Sequence, residues 1–228
     1  MSTTSPDLVT APPRDTHREL STLARVAGAF GLAQVVVMFA AITQEVMVEH
    51  STPLATIQHD FATANINRVF GAGYVEASSF LLLAPAIVIM ARLFGRSSES
   101  SRAAAQTFLA LGVAWIAATL AIGFAPGAAA LYGAQHGADI HSVAMVNDLR
   151  NYSYYLQVTI QGGMAVALGV AAILGRAWSR SVGWAGVVIG AVIIVATPFA
   201  HNGLSMLWLL WWVYLCVLLV KGRVPQAA

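Results

Sequence analysis

A single cysteine, a single lysine and a charged fraction of only 10% set the first limits on this chain. Cys216 lies inside an apolar run, so disulfide frameworks, Cys-x-x-Cys redox pairs, zinc knuckles and c-type haem attachment are all excluded. Lys221 stands at the end of the last apolar run, which rules out a retinal-type Schiff base in the middle of a helical bundle. There is no phosphate-cradling glycine loop and no basic patch interleaved with aromatics, so neither a nucleotide nor a nucleic-acid partner is expected. No internal repeat and no interrupted helix is legible, which argues against an inverted-repeat transporter. The net charge of +2 points to no partner.

What the chain does have is apolar sequence. Of its 228 residues 58% are hydrophobic, and the mean hydropathy is +0.71; soluble domains carry about 25% charged residues. A helix needs roughly 20 apolar residues to cross a hydrocarbon core of ~30 Å. Six runs qualify, at 26–43, 69–91, 103–125, 152–174, 182–197 and 203–220. The first follows a polar stretch and lacks a small-x-small cleavage site, so it is read as a span and not as a signal peptide. The expected fold is therefore an all-α polytopic membrane protein, a six-helix transmembrane bundle whose main partner is the lipid bilayer.

Lysine and arginine bias orients the bundle. With the N-terminus inside, that side holds Arg14, Arg18, Arg25, Arg92, Arg96, Arg102, Arg176, Arg180, Lys221 and Arg223, against Arg68 and Arg150 on the other. Both termini are thus expected in the cytoplasm. Residues 1–20 are rich in Ser, Thr and Pro and read as a disordered tail, and residues 21–224 form the transmembrane domain. The larger loops, 44–68 and 126–151, fall outside. In the first, Thr52 is placed to cap a helix opening at Pro53, with Leu54, Ile57 and Phe61 on one face. In the second, Pro126, Gly127 and Gly133 open the loop, and Asp139 is a natural N-cap for a helix running into the fourth span. Residues 198–203 should turn spans five and six back on each other. Gly186 and Gly190 form a small-xxx-small step, which fits packing against a neighbouring span or, alternatively, a homodimer.

Polar groups within this apolar frame need a reason. Glu76 lies inside the second span, where an ionised side chain costs ~2.5 to 3.5 kcal/mol at the centre and is normally turned inward and paired. It reads as a proton carrier or cation ligand, or as the partner of Arg150 or Arg68. Gln157 and Gln161 share one face of the fourth span and could meet Glu76 across the bundle. Glu45 and Glu49 would share a face if the first span continued helically, making a cation-attracting vestibule. His50, His59, His136, His141 and His201 all fall on the outer side with Asp60, Asp139 and Asp148, the raw material of a metal site, although no ligand spacing motif is present. None lies deep in a span, which argues against a buried bis-histidine haem. Ser205 follows Gly203-Leu204 but lacks the glycine that a serine-protease motif would place at Met206.

The chain resembles an uncharacterised bacterial family of six-span membrane proteins, a domain-of-unknown-function group. The likeness covers residues 25–222 and rests on Leu23-Ala24-Arg25-Val26-Ala27-Gly28, Gly73-Tyr74-Val75-Glu76, Asp148-Leu149-Arg150, Trp178-Ser179-Arg180-Ser181-Val182-Gly183-Trp184, and His201-Asn202-Gly203-Leu204 with Trp208-Leu209. The resemblance implies six helices in a bacterial inner membrane. It implies no substrate, so no catalytic residue is carried over.

The leading expectation is a non-enzymatic multi-pass protein with an outward-facing polar pocket around Glu76, Arg150, Gln157, Gln161 and His201. It would bind a small ligand, a lipid head group or a proton, and no cofactor is expected. The alternatives are a metal-assisted enzyme at the outer face, with ligands from His136, Asp139, His141, His201, Glu45 and Glu49, and a proton-coupled transporter.

Overall fold

The computed structural model describes residues 14–46, 48–176 and 180–224, with the backbone alone for 14–16, 201 and 202. The chain is all-α. Its helices are α1 (Arg14–Ile42), α2 (Leu54–Thr63), α3 (Ile66–Ser79), α4 (Leu83–Phe94), α5 (Glu99–Ala118), α6 (Ala125–Gln135), α7 (Ile140–Leu174) and α8 (Arg180–Val220). A 3-10 turn, Phe80–Leu82, joins α3 to α4, and a π-helical segment, Thr119–Phe124, joins α5 to α6. α8 breaks at Ala200, just after Pro198, where φ is −149° and ψ is 51°. Among the described residues six helices are long and apolar enough to cross a membrane: His17–Ile42, Ile66–Phe94, Glu99–Gln135, Ile140–Leu174, Arg180–Ala200 and Gly203–Val220.

The two arms of α8 form the expected hairpin, since Trp211 Nε1 donates to Val182 O across the pair at 3.3 Å. At the end opposite that turn, Ser21 Oγ donates to Gly222 O at 3.5 Å, so the start of α1 and the end of α8 sit on one face; the other face is called distal below. The Gly186–Gly190 step packs within the chain: a Cβ on Gly190 would lie 2.4 Å from Gly162 O, and one on Gly186 would lie 2.6 Å from the Trp211 ring. Backbone contact of this closeness is what small residues allow where lipid-facing helices have no hydrophobic drive to associate. α7 is the central helix, buried from Val143 to Ala172 along one side. Trp208, Trp211 and Trp212 are core residues, with Trp208 edge-on to Trp115 at 5.8 Å, whereas Tyr214 faces outward.

Three elements differ from the sequence expectation. The helical part of the N-terminal region begins at Arg14, so residues 14–20 are helix and not tail, while 1–13 lie outside the described residues. The reason is the apolar stripe: Leu20 packs on the core that fully buries Ala24 and Ala27. The helix of the first outer loop opens at Leu54 with Pro53 as its N-cap, because Thr52 Oγ1 accepts instead from Glu49 N at 3.1 Å. Ile57 and Phe61 are buried as expected, and Leu54 is exposed. Finally, Pro126 does not open a loop. It is the second residue of α6, and the wider π turn before it absorbs a residue that lacks an N–H and would clash with the carbonyl four positions back. That carbonyl, Ile122 O, lies 3.5 Å from Ser153 Oγ.

The third span therefore runs 37 residues and the fourth 35, about 55 and about 52 Å at 1.5 Å per residue, well beyond the ~30 Å core. Their excess length, with α2, builds a cap on the distal face around Val48, Ile57, Phe61, Ala130, Leu131 and Val143. Side-chain bonds tie it down: Gln135 Nε2 donates to Phe61 O and Ala64 O at 2.8 Å, and Asn147 Nδ2 donates to Val48 O at 3.1 Å. Asp139 caps α7 as expected, accepting from Ser142 N at 3.1 Å.

Candidate functional site

Beneath this cap a cavity of about 40 Å³ is lined by Glu45, Glu76 and Arg150 with Phe70, Gly73, Gly123 and Phe124 among its walls. Each polar group has a structural reason to be there. α1 stops at Ile42, and the following turn sends Glu45 inward; the loop is pinned by the Asn147 bond to buried Val48. Glu76 and Arg150 each lie about 15 Å along their helices from the starts at Ile66 and Ile140, so parallel spans bring them to one depth. Gly73, one turn before Glu76 on the same face, leaves room for the incoming carboxylate: a Cβ there would lie 3.4 Å from Glu45 Oε1. Gly127 does the same for the arginine, since its Cβ would lie 2.9 Å from Arg150 Cδ.

Arg150 Nη2 donates to Glu45 Oε2 at 2.5 Å, and the Glu45 side chain is only 4% exposed. Its second oxygen, Oε1, is buried with no hydrogen-bond partner at normal geometry among the described residues. The group facing it is the half-buried Glu76 carboxyl, which also feels the Arg150 charge. The cavity thus holds two carboxyl groups and one guanidinium. Two ionised carboxylates are acceptors only and cannot bond each other; a proton on one makes it a donor.

Of the five residues expected around a pocket, Glu76 and Arg150 do meet. Gln157 backs the cavity through Gly123, whose Cβ would lie 3.2 Å from its Nε2, and is held by Thr119 Oγ1 at 3.1 Å. Gln161 lies a turn deeper and outside the lining, with its Oε1 buried and unbonded among the described residues. The side chain of His201 lies outside the described residues. The residues considered as metal ligands do not converge: among the described residues, no three of His, Cys, Asp and Glu come together in a way that could hold a metal ion. Asp139 is engaged as a cap, and His136 stacks on Tyr132 at 3.8 Å with Nδ1 2.8 Å from Tyr132 O. Glu45 and Glu49 do not share a helical face, because α1 has ended before them; Glu45 turns in and Glu49 is exposed.

Sequence reasoning paired Arg150 with Glu76 and missed Glu45 as its partner. The signals that could have found it are Gly73 three residues before Glu76 and Gly127 beside Pro126, both small residues where a side chain from elsewhere must pass. Comparison with protein-family models, curated proteins and solved structures gives no match. The site is therefore read from its own chemistry. At the level of the whole chain, it belongs to a multi-pass membrane protein.

Proposed function

We propose that this is a non-enzymatic multi-pass protein of a bacterial cytoplasmic membrane whose outward-facing site, Glu45, Glu76 and Arg150, binds one exchangeable proton. The observation that carries this is Glu45 Oε1, a buried carboxylate oxygen with no hydrogen bond at normal geometry among the described residues, opposite a second carboxyl group. Two carboxylates against one arginine leave one negative charge uncompensated in a low-dielectric setting, where like charges held close do not both ionise. A proton between them neutralises that charge and supplies the missing hydrogen bond. Size favours the same reading: a cavity of about 40 Å³ has room for water-sized occupants, whereas pockets for organic ligands run to roughly 300 to 1,000 Å³. The charge bias that puts both termini inside makes the distal face the outer one.

A second reading, a proton-coupled transporter, is favoured by the helix irregularities beside the site. The 3-10 turn Phe80–Leu82 follows Glu76 by one turn, and the π segment supplies Gly123 and Phe124 to the cavity wall. π turns inside helices are frequent at functional sites.

Two measurements test and separate these readings. In a difference titration of detergent-purified protein, wild type should release one more proton than Glu76→Gln as the pH is raised from neutral; equal release contradicts the proton site. In proteoliposomes carrying a lumenal pH dye, a static site gives the same leak as empty vesicles. Flux that disappears in Glu76→Gln establishes the transporter instead.

A further inference from the structure

A second feature of the distal half lies on the outside of the bundle. α1 and α3 are separated there by a groove of about 370 Å³. Its floor is made of small residues, Ala40 and Ala41 from α1 with Gly71 and Ala72 from α3, and it ends at Val36 and Val75. From Gln44 to Val36, or from Arg68 to Val75, it descends roughly 10 Å along the helices. Nothing among the described residues fills it: a Cβ on Gly71 would meet no atom within 4 Å, and Val36 and Val75 are exposed. In a membrane protein such a face is wetted by acyl chains.

At the head of the groove stands Arg68, whose backbone N–H is fixed by Asn65 Oδ1 at 3.1 Å. Its Nε donates to Gln44 Oε1 at 2.8 Å, and its Nη2 donates to the same oxygen. No carboxylate pairs with it among the described residues. Gln44 is neutral, so the charge is held in place and uncompensated. The Nη1 edge and the remaining Nη2 proton are left to an anion, in the planar fork that matches phosphate.

We infer that this groove is a specific lipid site: one acyl chain of an anionic phospholipid lies along Gly71 and Ala72, and its phosphate is held by Arg68. The charge complementarity commits the occupant. An apolar groove ending in a fixed cation at the depth of the distal interface selects a molecule with an apolar tail and an anionic head. This site is separate from the Glu45, Glu76 and Arg150 cavity and does not depend on the reading given to it.

The test is native mass spectrometry of the full chain, delipidated in detergent and titrated with dioleoyl phosphatidylglycerol. Wild type should retain one lipid. Arg68→Gln, which removes the phosphate fork, should weaken retention about tenfold, the scale of a lost charge-assisted hydrogen bond. Gly71→Phe should weaken it comparably by filling the groove, and glycerol phosphate should fail to displace the lipid. Unchanged retention in Arg68→Gln overturns the proposal. So does loss in Arg68→Gln with full retention in Gly71→Phe, or displacement by glycerol phosphate at equal concentration, since either makes this a head-group site without a groove. A dimer mass that both variants abolish, with lipid retention unaltered, assigns the face to a second copy and also overturns it. Thermal midpoints show whether each variant is folded; should Gly71→Phe not fold, Arg68→Gln with the glycerol phosphate competition decides.

Discussion

Arg150 Nη2 meets Glu45 Oε2 at 2.5 Å, joining α7 to the turn after α1 across 105 residues of sequence. The Glu45 side chain is nearly inaccessible and Arg150 is three-quarters buried. Breaking such a pair from one side strands a buried charge, typically at a cost of 3 to 5 kcal/mol. Arg150→Gln should therefore lower stability in detergent by about 3 kcal/mol. Adding Glu45→Gln should restore a substantial part of the loss, because the carboxylate stranded by the first change is then removed. A denaturation series on the two single variants and the double variant checks this; additive losses would mean that the pair is not coupled.

Asn147 holds the Glu45 loop in place through Val48 O while being 1% exposed. Asn147→Leu leaves that buried carbonyl unpaired, and a loss of about 1 to 3 kcal/mol is expected. The coupling measured between Glu45 and Arg150 should shrink in the same background. If it is unchanged, the loop is positioned by something other than Asn147.

The glycines give a sharper contrast. Gly190→Ala places a Cβ 2.4 Å from Gly162 O, so backbone must move at the α7–α8 crossing. A loss of about 1 to 3 kcal/mol follows from overpacking of this kind. Gly71→Ala meets nothing within 4 Å and should leave the thermal midpoint in place. Similar effects from both would contradict the packing described.

How the fold followed from the sequence depended on what kind of interaction placed each residue. The spans were legible because bilayer thickness sets run length, and Asp139 was legible because an N-cap acts within one turn. Glu76 stood out as a carboxylate inside an apolar run, and Arg150 as one of the two basic residues on its side. Glu45 was not legible as their companion. Its direction depends on where α1 ends and on a loop tethered by Asn147, about a hundred residues away. Pro126 misled for a related reason: the π segment that carries helix through it lies against α7, with Ser153 within reach of the carbonyl that the proline cannot serve. Local rules read such a Pro-Gly pair as a stop, and the long-range contact overrides them.

Orientation is open to a chemical test because Cys216 is fully buried and silent toward reagents. Gln58→Cys on α2 should be labelled in intact cells by a membrane-impermeant maleimide, and Ser100→Cys, at the start of α5, only after permeabilisation; both positions are exposed. The reverse pattern would turn the bundle over and place the acidic site toward the cytoplasm.

A proton shared by Glu45 and Glu76 beside Arg150 has its own infrared signature. At neutral pH the wild-type protein should show the C=O stretch of a protonated carboxyl group, shifted in D2O and absent from Glu76→Gln. A wild-type spectrum without that band, or a band that Glu76→Gln leaves untouched, would contradict it.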